Sequence, residues 1–172
     1  NKGVRRVKQT RRDHLLSLGA FAAASAVPAV ALAENHEPAV HVVEMLNAHP
    51  DNKRERQVFV PDILRAKVGA TIRFVSTDRG HNSESVADMT PAGGAEWKGK
   101  IGDDVEFVVE TAGAYGYKCT PHASVGMVGL LLVGYVPGNY EEIKGVRQRG
   151  KAKKRWEDIF ERADELLASE SS

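Results

Sequence analysis

The sequence contains little sulfur and has almost no excess charge of either sign. Its 172 residues include one cysteine and three methionines, and 24 Lys/Arg stand against 23 Asp/Glu, for a net charge of +1. A single cysteine has no partner within the chain, so the thiol of Cys119 is unpaired. A chain with balanced charge lacks the broad basic field that nucleic-acid-binding proteins use, and we therefore expect no nucleic-acid partner.

The size and composition favour one folded domain with short accessory segments. Apolar residues make up 42% of the chain, which is enough for a packed core and argues against wholesale disorder. The sequence contains no internal repeat and no low-complexity tract, so repeat architectures are not expected.

The first 33 residues are typical of an export signal. Six Lys/Arg occur from Lys2 to Arg12, and the stretch 15–33 carries no charge and ends in the cleavage pattern Ala31-Leu32-Ala33. Residues 10–16, Thr-Arg-Arg-Asp-His-Leu-Leu, resemble a twin-arginine motif, which predicts export of a folded protein into the periplasm. The alternative is an ordinary secretory signal whose basic region happens to contain an arginine doublet.

Cleavage of this segment would change the charge of the chain. Residues 1–33 contain six Lys/Arg and one Asp, so the rest keeps 18 Lys/Arg against 22 Asp/Glu, a net charge of −4. The uncharged stretch is long enough to be a retained anchor. Its Gly19, its Pro28 and its many small residues are more typical of a cleaved peptide, so we expect no stable membrane association after cleavage.

From about residue 40 the sequence is typical of short strands separated by Gly, Pro and Asn turns, which predicts a β-sandwich. Alternation places Ile72 and Phe74 on one strand face. The run 128–136 is almost continuously apolar, which predicts a central strand buried on both sides. Residues 95–98 are predicted to form a helical turn. The predicted strands are 41–46, 58–60, 71–76, 105–110, 115–119 and 128–136.

After residue 138 the pattern becomes helical. Asn139 and Glu142 resemble a capping box and predict a helix that ends near Gly150. A second helix is predicted from about Lys151 to Ala168, with a solvated basic start at 151–155. Its apolar residues recur at helical spacing, which predicts a face packed against the sandwich. These residues are Trp156, Ile159, Phe160, Ala163, Leu166 and Leu167.

The sequence thus predicts a mainly β fold, a sandwich followed by two C-terminal α-helices. We divide the chain into an export signal at 1–33, a sandwich domain at 34–138 and a helical extension at 139–172 that packs on the sandwich.

A set of metal-binding side chains is concentrated on two loops. Cys119, His122 and Met127 lie together between two predicted strands, and His81 follows an earlier strand. Two imidazole nitrogens, a thiolate and a weak thioether are the ligands of a blue-copper electron-transfer site. Unpaired thiols are uncommon in an oxidising compartment, where cysteines usually form disulfides. Ligation of a metal ion would explain why this cysteine is unpaired. The alternative is a buried, unreactive core cysteine.

The residues around these side chains resemble the pseudoazurins, a family of blue copper proteins. The similarity lies in 117–130, which contains Cys-Thr-Pro-His and Gly-Met, and in the loop 78–82, Asp-Arg-Gly-His-Asn. It extends over about residues 40–168. The sequence departs from the family pattern at Ala123 and Val125, where Tyr and Met are common, and neither is a ligand position.

The resemblance implies a Greek-key cupredoxin sandwich with one copper ion that cycles between Cu(I) and Cu(II). It implies equatorial ligands at His81, Cys119 and His122, an axial Met127, and an Asn82 that ties the two ligand loops together. It also implies a periplasmic electron carrier, and because nothing in the sequence suggests stable oligomerisation, we expect a monomer. Its transient partners would be redox proteins such as copper nitrite reductase, nitrous oxide reductase and cytochromes.

Electrons are expected to leave through His122, whose ring edge should lie near the surface. Pro121, Ala123 and Val125 are candidates for an apolar patch around it. Four cations near the ligands could form a basic ring that steers an acidic partner despite the negative net charge of residues 34–172. They are Arg79, Lys98, Lys100 and Lys118.

Two other functions compete with this hypothesis. In an enzyme, Cys119 would be a nucleophile and His122 its base, but the sequence offers no evident third residue to orient the pair. A copper-storage protein would expose several Met, His or Cys ligands, whereas this chain has three Met and one Cys. A second, catalytic copper is not expected from the scattered His36, His41 and His49.

Overall fold

The computed structural model describes residues 39–170. The predicted export signal at 1–33 and residue His36 lie outside this range. Among the described residues, no helix is both long enough and apolar enough to cross a bilayer.

Eight strands in the described part of the chain form two four-stranded sheets. The first sheet has the order β2-β1-β4-β6, and the second has the order β3-β8-β7-β5. The strands are β1 (Val40–Ala48), β2 (Arg56–Val60), β3 (Ile63–Ala66), β4 (Thr71–Val75), β5 (Glu84–Ser85), β6 (Val105–Val108), β7 (Gly113–Lys118) and β8 (Val128–Val133).

The main core lies between the two sheets. Ile72 and Phe74, predicted to share a buried face, are fully buried. Phe74 packs edge-on against Tyr117 at 4.9 Å between ring centroids, and Phe59 contacts the same ring at 4.9 Å. Strand pairing is mixed, because β1 runs parallel to β4 and β3 runs parallel to β8. The predicted β-sandwich is therefore confirmed.

Every residue of β8 is buried, as its apolar sequence predicted. Leu131 and Val133 belong to the core between the sheets. Leu130 and Leu132 face the other way, into a second core covered by the C-terminal helices. The strand is apolar on both sides because a layer of structure packs on each of them.

The two C-terminal helices are α1 (Pro137–Lys144) and α2 (Gly150–Glu170). The second core contains Trp156, Ile159, Phe160 and Ala163 of α2, so the predicted packing face is confirmed. The predicted solvated helix start is wrong for Arg155, because its guanidinium lies 3.0 Å from Asp62, which also binds Arg162.

The predicted capping box at Asn139 is wrong. The residue before α1 is Val136, and Asn139 lies inside the helix. Its side-chain amide donates to the backbone oxygen of Ala114 at 2.7 Å and accepts the backbone N–H of Ala114 at 2.9 Å. The neighbouring β5 pairs only with the far end of β7, at Tyr117 and Lys118. Asn139 therefore supplies the bonds that a longer strand would make with β7.

The predicted helical turn at 95–98 is also wrong. This segment is not helical, and the backbone oxygen of Trp97 accepts the N–H of Ser85 at 3.0 Å. Lys98 forms an isolated bridge with Glu84. Trp97 packs into the core against Phe107, with ring centroids 4.6 Å apart, and this burial fixes the extended path.

Candidate metal centre

The predicted ligands meet at one end of the sandwich because strands that belong to both sheets end there. His81 lies in the loop after β4, and Cys119 directly follows β7. His122 lies in a short 3-10 helix, Thr120–Val125, and Met127 directly precedes β8. The β7–β8 pairing places Cys119 opposite Met127, whose backbone oxygen accepts the N–H of Cys119 at 3.0 Å.

Three donor atoms form a small triangle at this end. The two Nδ1 atoms of His81 and His122 are 3.2 Å apart, and the Sγ atom of Cys119 lies 3.8 Å from the first and 3.4 Å from the second. Ligand atoms at about 2.0–2.3 Å from one ion are about 3.3–3.8 Å apart when the angles at the ion lie between tetrahedral and trigonal values. The triangle, with edges of 3.2–3.8 Å, is therefore close to the size that one first-row metal ion such as copper requires.

Met127, the fourth predicted ligand, directly precedes β8. The residue is fully buried, and its backbone N–H donates to the backbone oxygen of His122 at 3.1 Å. His41 and His49 do not belong to the cluster. His41 lies in β1, and the Nδ1 atom of His49 accepts the N–H of Asp51 in the turn after that strand.

His81 is held in the tautomer that a metal ligand needs. Its Nε2 atom lies 3.1 Å from the side-chain oxygen of Asn47, which can only accept, so Nε2 carries the proton and Nδ1 presents its lone pair to the cluster. The backbone N–H of Asn47 donates to Asp78 at 2.7 Å. Burial, with a smaller effect from His122, lowers the pKa of His81. The imidazole is thus favoured in the neutral form that binds metals.

The sulfur of Cys119 is enclosed by protein. The residue is fully buried, and burial raises the pKa of its thiol, while hydrogen bonds from the backbone N–H groups of Asn82 and His122 lower it. A metal ion that binds this sulfur displaces the thiol proton, because the thiolate is the ligand. The two N–H groups are in place to stabilise the resulting negative charge.

Asn82 ties the two ligand loops together, as the family resemblance implies. Its side-chain oxygen accepts the backbone N–H of Thr120 at 2.8 Å, and its side-chain nitrogen donates to the hydroxyl of Thr120 at 2.9 Å and to the backbone oxygen of Gly99 at 3.0 Å. Asn82 follows His81 and Thr120 follows Cys119. The bonds therefore fix the spacing between the two loops.

Two functional contacts were missed from the sequence. Asn47 orients His81 from a position 34 residues earlier in the chain. Glu84 accepts a hydrogen bond from the hydroxyl of Thr120 at 2.5 Å. Neither residue belongs to a recognisable motif, and only the pairing of β1 with β4 and of β5 with β7 brings them to the site.

Exposed apolar residues and four cations lie near the ligand loops. Val125 is 46% exposed, and Ile101 is 62% exposed beside Gly102, whose N–H donates to the backbone oxygen of His81. His122 itself is half-buried. The four predicted cations lie close to the ligand loops in sequence or through contacts. Arg79 and Lys100 lie two residues before His81 and Gly102, and Lys98 and Lys118 pair with Glu84.

Comparison with known proteins gives consistent matches. A family model described as copper binding proteins, plastocyanin/azurin family, matches residues 46–134. The pseudoazurin of Paracoccus pantotrophus is 40% identical over 133 residues, which cover 77% of this chain and 90% of that protein. The pseudoazurin of Methylorubrum extorquens is 36% identical over 139 residues, which cover 80% of this chain and 92% of that protein.

Solved structures agree with the sequence matches. The crystal structure of native pseudoazurin from Hyphomicrobium denitrificans superposes with a TM-score of 0.67 at 40% sequence identity, and the match covers 72% of this chain and 98% of that one. This match supports a pseudoazurin-like cupredoxin fold for the chain.

Proposed function

The chain belongs to the pseudoazurins, within the plastocyanin/azurin family of copper-binding proteins, and we propose that His81, Cys119, His122 and Met127 hold its single copper ion. As a member of this family it is an electron carrier and not an enzyme. The observation that supports the ligand set is the compact triangle of two Nδ1 atoms and one sulfur, with edges of 3.2, 3.4 and 3.8 Å.

When bound, copper supplies a one-electron couple between Cu(I) and Cu(II). The protein residues hold one ligand geometry for both states. Asn47 fixes the ring of His81, Asn82 fixes the distance between the ligand loops, and the β7–β8 pairing fixes Cys119 against Met127. Ligands locked in this way move little when the charge of the ion changes, so reorganisation is small and electron transfer is fast.

Electrons enter and leave through His122, the least buried of the four ligand residues. Val125 gives the surface beside it an apolar contact, and the basic ring steers an acidic partner to it. Cys119 is fully buried, so a substrate could not reach it as a nucleophile. The encounter complexes are small and transient, as electron-transfer complexes generally are.

The carrier works in the periplasm, and residues 1–33 direct its export. The sandwich domain consists of residues 34–138, and the helical extension consists of residues 139–172. The protein acts as a monomer. Its acceptor is a denitrification reductase such as copper nitrite reductase, with nitrous oxide reductase and cytochromes as further partners. These assignments rest on the basic N-terminal sequence and on similarity to the pseudoazurins. A fusion of residues 1–33 to a reporter tests the route, because Arg11→Lys with Arg12→Lys should block twin-arginine export and leave secretory export intact.

Absorption and EPR spectra of the purified protein loaded with Cu(II) test the metal site. We expect an intense blue colour and narrow copper hyperfine splitting, both lost in Cys119→Ser. His49→Ala is a matched control, because this histidine lies outside the cluster and its loss should leave both spectra unchanged. A colourless wild-type protein with ordinary Cu(II) EPR would contradict the proposal.

A further inference from the structure

Glu84 connects the metal-binding loops to the basic surface. Its side chain is only 16% exposed, although it lies in β5, an edge strand of the second sheet. One carboxylate oxygen accepts a hydrogen bond from the hydroxyl of Thr120. The other lies 3.3 Å from the ammonium of Lys98 and 3.9 Å from that of Lys118. One carboxylate therefore contacts both the ligand loop and two cations of the proposed docking surface.

The bond to Glu84 fixes the direction of the Thr120 hydroxyl and belongs to a connected set of hydrogen bonds. A hydroxyl can donate one hydrogen bond, and that of Thr120 donates to Glu84. The Thr120 oxygen must then accept from the side-chain nitrogen of Asn82, at 2.9 Å, while the side-chain oxygen of Asn82 accepts the N–H of Thr120. Asn82 directly follows His81 in the chain, and Thr120 directly follows Cys119. An unbroken series of contacts thus runs from Lys98 to the residues beside two of the proposed ligands.

We propose that Glu84 is a positioning residue for the copper site, which orients Thr120 and Asn82 against Cys119 and couples their arrangement to Lys98 and Lys118. This inference rests on the ligand set proposed above. It adds a function to the basic surface, because an acidic partner that binds the two lysines competes with Glu84 for them. Docking of a partner would then change the environment of the sulfur without direct contact with the metal.

The expected direction of the effect follows from charge. An anion near the site favours Cu(II) and lowers the reduction potential, and the two lysines offset the charge of Glu84. Glu84→Gln keeps the size of the side chain and removes its charge, so we expect a higher potential. Lys98→Ala removes a positive charge and leaves Glu84 less well neutralised, so we expect a lower potential.

A double-mutant cycle separates coupling from simple charge effects. Potentials are measured by voltammetry on the copper-loaded protein for Lys98→Ala, Glu84→Gln and the double variant. We expect the shift caused by Lys98→Ala to fall to less than half in the Glu84→Gln background. Lys100→Ala is the matched control, since the ion pairs of Glu84 within residues 39–170 involve Lys98 and Lys118 and not Lys100. Its shift should be the same in both backgrounds.

A second readout follows the sulfur itself. We expect Thr120→Val to change the intensity of the blue absorption band, because the loss of the hydroxyl removes one of the three hydrogen bonds that hold the side chain of Asn82. Additive shifts for Lys98→Ala and Glu84→Gln, together with an unchanged band in Thr120→Val, would overturn the proposal. A wild-type protein without the blue spectrum would instead reject the ligand set, so the two failures are distinguishable.

Discussion

Replacement of Asn82 by alanine should weaken both the fold and the metal site. The side chain is 3% exposed and makes three hydrogen bonds, two with Thr120 and one with Gly99. Each neutral hydrogen bond contributes about 0.5–1.5 kcal/mol net, and a buried group that loses its partner costs about 1–3 kcal/mol. We therefore expect Asn82→Ala to lower the free energy of unfolding by about 2–4 kcal/mol. For a protein of this size the loss corresponds to a fall in Tm of roughly 5–15 °C.

The measurement is chemical unfolding of the metal-free protein, followed by absorption spectra and voltammetry after Cu(II) is added. Metal-free protein is used for stability because bound copper would itself stabilise the fold. Asn139→Ala is a matched control, because this side-chain amide also makes two bonds to a backbone, at Ala114, on the helical side of the second sheet. We expect it to lower stability by about 1–3 kcal/mol and to leave the spectrum and the potential unchanged.

The two variants together test whether Asn82 acts on the site or only on the fold. If Asn82 ties the ligand loops together, its loss alters the spectrum and Asn139→Ala does not. Equal loss of stability in both variants with an unchanged copper spectrum in each would refute the reasoning. A loss below about 0.5 kcal/mol in Asn82→Ala would show that water replaces its three bonds without cost.

Three further predictions follow from the same structure. Pro121→Ala should raise the reduction potential, because proline has no N–H and the alanine adds a donor near the sulfur that favours Cu(I); voltammetry that gives an unchanged or lower value would contradict this. The hydrogen bond from Thr120 lowers the pKa of Glu84 below its usual 4.5. The ionised carboxylate of Glu84 therefore stabilises the folded protein at pH values above 4.5. The difference in unfolding free energy between wild type and Glu84→Gln should therefore shrink as the pH falls below 4.5, and a difference that grows would be contrary evidence. Ile159→Ala should cost about 2–5 kcal/mol in urea unfolding because the side chain is fully buried in the second core, whereas the exposed Glu161→Ala should change stability by less than about 0.5 kcal/mol.

The ligand loop could be predicted from the sequence because its information is local. Cys119, His122 and Met127 lie between two strands that show clear apolar patterns, and a β-hairpin brings the ends of such strands together without help from the rest of the chain. The helix α2 was predicted for a similar reason. Its apolar stripe repeats at helical spacing over several turns, and the second core contains most of that stripe.

The errors occurred where one sequence pattern suits two structures. Asn139 and Glu142 have the spacing of a capping box, yet the side chain of Asn139 binds β7 instead, since only tertiary packing reveals the open edge at Ala114. Arg155 lies in a run of basic residues that suggests a solvated surface. The carboxylate that binds it, Asp62, belongs to a distant turn that the charge count of the helix could not reveal.

The contacts around the metal were hardest to predict, and they come from the shortest elements of the fold. Glu84 lies in a strand of two residues, too short to show any alternation in its sequence. Asn47 reaches His81 because β1 runs parallel to β4, a pairing between strands distant in the chain. The conformation of a short loop depends on the contacts that surround it. In the two ligand loops these contacts include the hydrogen bonds of Asn82. The motif residues therefore indicate the metal, while we expect the less recognisable residues around them to determine how tightly the proposed site is held.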